Sequence, residues 1–436
     1  MGQYQIIGGK PLTGEIPISG AKNSVLPILA ASLLCGEVCE IGDCPYIEDV
    51  RTGAEILVHL GCRVWRSGTA LFVDSSTADC SSLPRTLMEK MRGAILFLGA
   101  LLSRFSEVRL SQPGGCPLGE RPIDLHLRGL RHMGASCEFV GPVLYCKREQ
   151  FAPCTVALPF PSVGATENLL LAALSCPGET VICNAAREPE IGDLMGFLRA
   201  CGADVCGEGS SVLRVRGGRK LHGCSYRLMP DRMEAATYLA LAAATRGDLL
   251  LRPVCPEHLK AVTEVLQRSG CEITARADTL RLRCKALSGA GAVRTAPYPG
   301  FPTDAQAPVM AAMASAQGTT VFEERIFSDR LQHIPALCAL GAHIRAAGRC
   351  AVVQGVEKLH GAKAEATDLR GGAAIAVAML SAEGESVLTD SGHIRRGYEH
   401  FENKLRTCGA QIQYTEGQLC LWKTNEMGKS AIPRRP

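Results

Sequence analysis

Leu60-Gly61-Cys62-Arg63-Val64-Trp65 closes an apolar-periodic segment on a glycine and runs straight into a short strand-like stretch. A glycine directly after a periodic segment marks a helix C-terminus, because it accepts the left-handed backbone that side chains resist. The same signature recurs at Met133-Gly134-Ala135, Cys201-Gly202-Ala203, Ser269-Gly270-Cys271, Leu340-Gly341-Ala342 and Cys408-Gly409-Ala410. Successive glycines stand 73, 68, 68, 71 and 68 residues apart, so the chain reads as six copies of one unit. The residue after each glycine is Cys or Ala, which marks those cysteines as small core fillers.

Each unit also carries an earlier helix that is apolar nearly all round, and is therefore expected to be buried. Such segments are 22–35, 168–175, 233–244, 305–316 and 370–381, each followed by a glycine turn. The spacings Lys22 to Gly36, Asp304 to Gly318 and Arg370 to Gly384 are all 14 residues. Each unit thus reads strand, buried helix, strand, second helix, strand pair. The fold class is α/β, with six β-α-β-α-β-β repeats, three in each of two domains. A chain of 436 residues is long enough for two cores.

The starts of the buried helices carry Lys22-Asn23, Arg92, Ser162-Val163-Gly164, Asp231-Arg232, Asp304 and Asp368 to Arg370. A helix N-terminus has unpaired N–H groups and partial positive charge, which suits anions. Several of these starts are expected to converge at one inter-domain cleft; for any single one, a cap or surface charge is the competing reading. A different device is the stretch Pro113-Gly-Gly-Cys116-Pro-Leu-Gly119, followed by Arg121, Asp124 and His126. It sets a thiol on a sharply turning loop beside a guanidinium, a setting that favours the reactive thiolate.

Charge and composition exclude several classes. A formal charge of +4 with no basic tract disfavours nucleic acid. The longest apolar run, 25–34, is too short to span a bilayer and contains Pro27. Without a signal-like N-terminus either, a cytoplasmic location with no membrane association is expected. The 21 cysteines include no Cys-x-x-Cys pair and their number is odd, so neither a disulfide framework nor a metal site is expected. No cofactor is called for.

Eight strings in order resemble one family: Ile18-Ser-Gly-Ala-Lys-Asn-Ser24, Pro113-Gly-Gly-Cys116, Arg121-Pro-Ile-Asp-Leu-His126, Ser162-Val-Gly-Ala-Thr-Glu-Asn168, Asn184-Ala-Ala-Arg-Glu-Pro-Glu190, Phe301-Pro-Thr-Asp304, Thr367-Asp-Leu-Arg370 and Arg396-Gly-Tyr-Glu399. Together they are similar to the UDP-N-acetylglucosamine 1-carboxyvinyltransferases, enolpyruvyl transferases of peptidoglycan precursor synthesis. The resemblance covers about residues 5–423. It implies a two-domain inside-out α/β barrel, helices within and sheets outside, divided as 22–229 and 1–21 plus 230–436, with the active site in the cleft between them.

The implied reaction moves enolpyruvyl from phosphoenolpyruvate to the 3′-hydroxyl of UDP-N-acetylglucosamine and releases phosphate. By resemblance Cys116 is the proton donor to carbon, Asp304 the carboxylate beside the attacking hydroxyl, and Lys22, Arg121 and Arg396 hold substrate anions. Substrate contacts carry over to Asn23, Arg92, Pro122, Ile123, Asp124, Leu125, Ser162, Val163, Gly164 and Ile326, with Arg330 and Arg370 as either further clamps or solvated surface charges. His126 is either structural or functional. Two departures stand out: Arg395 replaces an aspartate common in relatives, and Phe160-Pro161 replace a lysine-containing version. The alternatives are the related transferase acting on shikimate 3-phosphate and a non-catalytic sugar-nucleotide-binding paralogue. The oligomeric state is not legible.

Overall fold

In a computed structural model, all six signature glycines adopt the left-handed backbone, with φ between 91° and 102° at Gly61, Gly134, Gly202, Gly270, Gly341 and Gly409. The model describes residues 2–111, 123–149 and 151–416, and the backbone of Ser430–Ala431. The helices these glycines end are Glu48–His59, Asp124–His132, Pro189–Ala200, Lys260–Arg268, Ile334–Ala339 and Phe401–Thr407. After most of them the next residue's N–H reaches back over the turn, as from Cys62 to the Leu57 carbonyl at 2.9 Å and from Ala203 to Leu198 at 2.9 Å. That reversed bond satisfies helix-end carbonyls and aims the chain into the following strand.

The chain divides into two compact units. Within the described residues, one comprises 20–111 and 123–229, and the other 2–19 and 230–416. Each has its own apolar core. Among the described residues there are six small sheets, and in four of them the strand before the buried helix runs parallel to the strand after it. Thr155–Ala157 beside Gly178–Cys183, and Gly291–Arg294 beside Thr319–Glu323, are examples. In five of these sheets the later strand pair adds as an antiparallel hairpin; in the sixth, Gln411–Thr415 pairs with Gly2–Ile7 instead.

Three repeats borrow a strand, which explains why the N-terminus does not belong with the residues that follow it. In the unit containing 2–19, Thr13–Pro17 pairs in parallel with Asp248–Arg252, and Gly2–Ile7 inserts between Glu385–Asp390 and Gln411–Thr415. In the 20–229 unit, Ser225–Arg227 returns from the end of the unit to pair with Val38–Gly42. Ser430–Ala431 pairs antiparallel with Arg63–Ser67 in the sheet that also holds Ser225–Arg227.

The buried helices are Lys22–Ser32, Phe97–Arg104, Val163–Ala173, Arg232–Ala244, Thr303–Met313 and Leu369–Ser381. Arg92 opens a 3-10 turn, Arg92–Leu96, that feeds the second of them. In the unit ending at 416, the last three helices pack on one another. Small residues permit this closeness. A Cβ on Gly99 would stand 2.2 Å from the Asn168 carbonyl oxygen of the facing helix. Among the described residues no helix is long and apolar enough to cross a membrane.

Candidate active site

Asp304 is the second residue of helix Thr303–Met313, and its side chain does not cap that helix. The competing cap reading therefore fails here; Asp231 and Asp368, by contrast, accept from the N–H groups of Met233 and Glu234, and of Arg370 and Gly371. The Asp304 carboxylate instead accepts from two arginines: Arg330 Nη2 to Oδ1 at 2.7 Å and Arg370 Nε to Oδ2 at 3.2 Å. Both arginine side chains are 2% exposed, whereas Asp304 keeps 28% of its surface. The buried guanidiniums present the carboxylate outwards.

Arg370 lies under the ring of Tyr398, and its Nη1 donates to the tyrosine hydroxyl at 3.0 Å, while Thr237 Oγ1 shares that hydroxyl at 2.7 Å. Burial works against the Arg370 charge, but Tyr398, Asp304 and Asp231 outweigh it and hold the guanidinium protonated. Burial also pushes the Tyr398 hydroxyl up, so it stays neutral. Arg330 Nε and Arg370 Nη2 are buried donors without a partner among the described residues. Donors of this kind are expensive unless something arrives to accept from them.

Ile326 and Asp304 are joined through Glu324, a buried residue the sequence reading passed over. Its Oε1 accepts from the N–H groups of Ile326 and Phe327 at 2.8 and 3.1 Å, and its Oε2 from Thr303 Oγ1 at 2.9 Å. One carboxylate thus fixes the 324–327 loop against the start of the Asp304 helix. Arg396 ends the 3-10 turn Ile394–Arg396, which packs on the Arg370 helix. Its neighbour Arg395 has partners of its own: it lies 3.9 Å over the Tyr414 ring and donates to Glu416 at 2.6 Å.

A second cluster forms within the 20–229 unit. Lys22 opens its helix and pairs with buried Asp49 at 2.9 Å, so its ammonium is anchored before any ligand is present; Asn23 follows in the same turn. The helix packs on the turn that Arg92 opens. Ile123, Asp124 and Leu125 form the first turn of helix Asp124–His132. Ser162 caps helix Val163–Ala173 by accepting from Ala165 N–H at 3.4 Å, with Val163 and Gly164 in its first turn.

His126 gathers three of these residues. A Cβ on Gly164 would lie 3.1 Å from its ring, and both Arg92 and Asp124 act on its charge. Asn168 Nδ2 donates to its Nδ1 at 2.8 Å, which leaves the ring proton on Nε2. Burial, and then the Arg92 charge, bring its pKa down to about 4. The neutral imidazole is thus wedged under the Ser162 turn. Cys116, Arg121 and Pro122 lie outside the described residues.

These placements carry two chemistries. The Asp304 cluster combines an outward carboxylate with unmatched guanidinium donors, suited to a hydroxyl beside an anion. The Lys22, Arg92 and Ser162 positions present cations and helix N-termini, suited to phosphates.

Comparison with known proteins agrees. Residues 6–405 match the family model described as EPSP synthase (3-phosphoshikimate 1-carboxyvinyltransferase). UDP-N-acetylglucosamine 1-carboxyvinyltransferase 2 of Caldanaerobacter subterraneus subsp. tengcongensis is 44% identical, over 94% of this chain and 99% of its own. UDP-N-acetylglucosamine 1-carboxyvinyltransferase 1 of Carboxydothermus hydrogenoformans is 43% identical, over 96% and 99%. Among solved structures, the enolpyruvyl transferase NikO from Streptomyces tendae superposes with TM-score 0.86 at 25% identity, covering 96% of this chain and 99% of that one. EPSP synthase from Acinetobacter baumannii, at TM-score 0.73 and 20% identity over 95% and 100%, shares the fold. Through the full-length match to these relatives, the chain belongs to the UDP-N-acetylglucosamine 1-carboxyvinyltransferase family of enolpyruvyl transferases.

Proposed function

We propose that the protein transfers the enolpyruvyl group of phosphoenolpyruvate to the 3′-hydroxyl of UDP-N-acetylglucosamine, releasing phosphate, as the first committed step of peptidoglycan precursor synthesis in the cytoplasm. The observation that carries this reading is the 44% identity to a transferase of that name over 94% of the chain. The shikimate 3-phosphate alternative is disfavoured, because its solved representative shares 20% identity.

In the mechanism that follows, Cys116 delivers a proton to the methylene carbon of phosphoenolpyruvate, leaving positive character at the adjacent carbon. The sugar hydroxyl attacks there while its proton passes towards Asp304. The resulting tetrahedral ketal loses a proton from the methyl group and expels phosphate, restoring the double bond. Lys22, Arg121 and Arg396 hold phosphate and carboxylate, and electrostatic stabilisation of the departing phosphate is their main contribution. The unmatched donors on Arg330 and Arg370 support an anion-binding role beside Asp304. Asn23, Arg92, Pro122, Ile123, Asp124, Leu125, Ser162, Val163, Gly164 and Ile326 bind the sugar nucleotide.

The test is product analysis by mass spectrometry. Incubation with both substrates should yield UDP-N-acetylglucosamine carrying one enolpyruvyl group. Recovery of unmodified sugar nucleotide beside modified shikimate 3-phosphate would transfer the assignment to the alternative.

A further inference from the structure

Four cysteines distant in sequence meet in the 20–229 unit. The Sγ atoms of Cys35, Cys39 and Cys201 all lie within 4.8 Å of one another. Cys224 Sγ stands 3.3 Å from Cys201 Sγ, and the Cys39 thiol interacts with those of Cys201, Cys224 and Cys35 alike. A disulfide needs about 2.05 Å between sulfurs. A tetrahedral zinc with Zn–S of about 2.3 Å sets its sulfurs about 3.8 Å apart, a spacing compatible with the Cys35, Cys39 and Cys201 group; Cys224, which lies outside that group, would complete the tetrahedron by closing towards Cys35. We propose that Cys35, Cys39, Cys201 and Cys224 form a tetrathiolate site for zinc.

The fold explains both the meeting and the choice of ion. Cys35 follows the end of helix Lys22–Ser32, and Cys201 is the C-cap of helix Pro189–Ala200. Cys39 lies on strand Val38–Gly42, and Cys224 directly precedes its parallel partner Ser225–Arg227, tied by Glu40 N–H to the Cys224 carbonyl at 2.8 Å. Two helices therefore end at the cluster, and a bound ion would tie both ends to the strand pair beside it. Thiolate donors select soft d10 ions over magnesium or calcium.

Binding deprotonates four thiols, releases four protons to solvent and leaves the site with two net negative charges. Cys35, Cys39 and Cys201 are at most 1% exposed while Cys224 is only partly buried, so the ion enters from the Cys224 side. The site would clamp the end of the Lys22 helix to the last strand of the unit. No Cys-x-x-Cys spacing marks the cluster: three residues separate the first pair, and Cys224 lies 23 positions beyond Cys201.

The thiol pair Cys137 and Cys146, facing each other across a hairpin, provides an internal control with too few ligands. Full-length protein purified under reducing conditions from zinc-containing medium should carry about one zinc per chain by elemental analysis. After chelation, added Co2+ should give the thiolate charge-transfer and intense visible bands of tetrahedral cobalt. The variant Cys35→Ser/Cys201→Ser should lose both signals, and Cys137→Ser/Cys146→Ser should retain them. Should the first variant not fold, the cobalt spectrum of the wild type decides alone. The proposal is overturned by wild-type protein that binds neither ion, by zinc retained in Cys35→Ser/Cys201→Ser, or by a Cys201–Cys224 disulfide in metal-free protein.

Discussion

Arg370 Nε donates to Asp304 Oδ2 at 3.2 Å, from a side chain that is almost wholly buried to one that is partly open. The pair joins the starts of two buried helices 66 residues apart, and Arg330 completes it from a loop. Removing the carboxylate would strand two buried cations, whereas removing only its charge would keep the shape. Asp304→Asn should therefore lower turnover by at least about 100-fold, the usual scale for losing a proton-transfer group. Sugar-nucleotide affinity should change little by calorimetry. Asp304→Ala should in addition lose roughly 3 kcal/mol of stability, the low end for a broken buried pair because Asp304 is partly solvated. Unchanged turnover in the asparagine variant would remove Asp304 from the reaction.

Tyr398→Phe takes away the oxygen that accepts from Arg370 and bonds to Thr237. Leaving the Arg370 donor without that acceptor should cost about 1–3 kcal/mol, while Thr237 keeps its bond to the Met233 carbonyl. Urea denaturation would measure the loss. A variant as stable as wild type would mean that the hydroxyl contributes nothing to the cluster.

Acid should weaken the protein through two buried histidines. His126 and buried His333 each have a pKa brought down to about 4, in both cases chiefly by burial. An unfolded histidine titrates near 6.5. Between about pH 6.5 and 4 the unfolded chain binds more protons than the folded one, so stability falls as pH falls through that window. Each histidine should contribute roughly 3 kcal/mol at neutral pH that is lost by pH 4. His126→Asn and His333→Asn should flatten the dependence of urea midpoint on pH between 7 and 5. A profile as steep as wild type in both variants would rule these histidines out as its source.

Thiol reactivity separates the proposed acid from the other cysteines. Burial pushes Cys62 up to about 12 and Cys176 to about 11, so neither forms thiolate at neutral pH. Cys206, Cys338 and Cys350 are exposed. Iodoacetamide should modify the exposed three, whereas fosfomycin, an epoxide that alkylates the loop cysteine of this family, should modify Cys116 alone. Peptide mapping that finds the epoxide on another cysteine would remove Cys116 from its role.

Local rules made much of the fold legible. A glycine after an apolar-periodic helix has one physical reading, and six of them at near-constant spacing gave the repeats, borne out at Gly61 through Gly409. The borrowed strands were not legible, because Gly2–Ile7 and Ser225–Arg227 look like any other alternating segments. In the candidate site, helix starts pointed to Asp304 and Arg370 separately. Their pairing, and the bridging by Glu324 and Tyr398, depend on side chains meeting through space. The four-cysteine cluster escaped for the same reason. Its members come from two helix ends and two strands, and no short spacing encodes that.

The central claim rests most directly on which acceptor unlocks phosphoenolpyruvate. Purified protein should release phosphate from phosphoenolpyruvate when UDP-N-acetylglucosamine is supplied, and release none with shikimate 3-phosphate or without an acceptor. Release with shikimate 3-phosphate, or tight sugar-nucleotide binding without any release, would contradict the account.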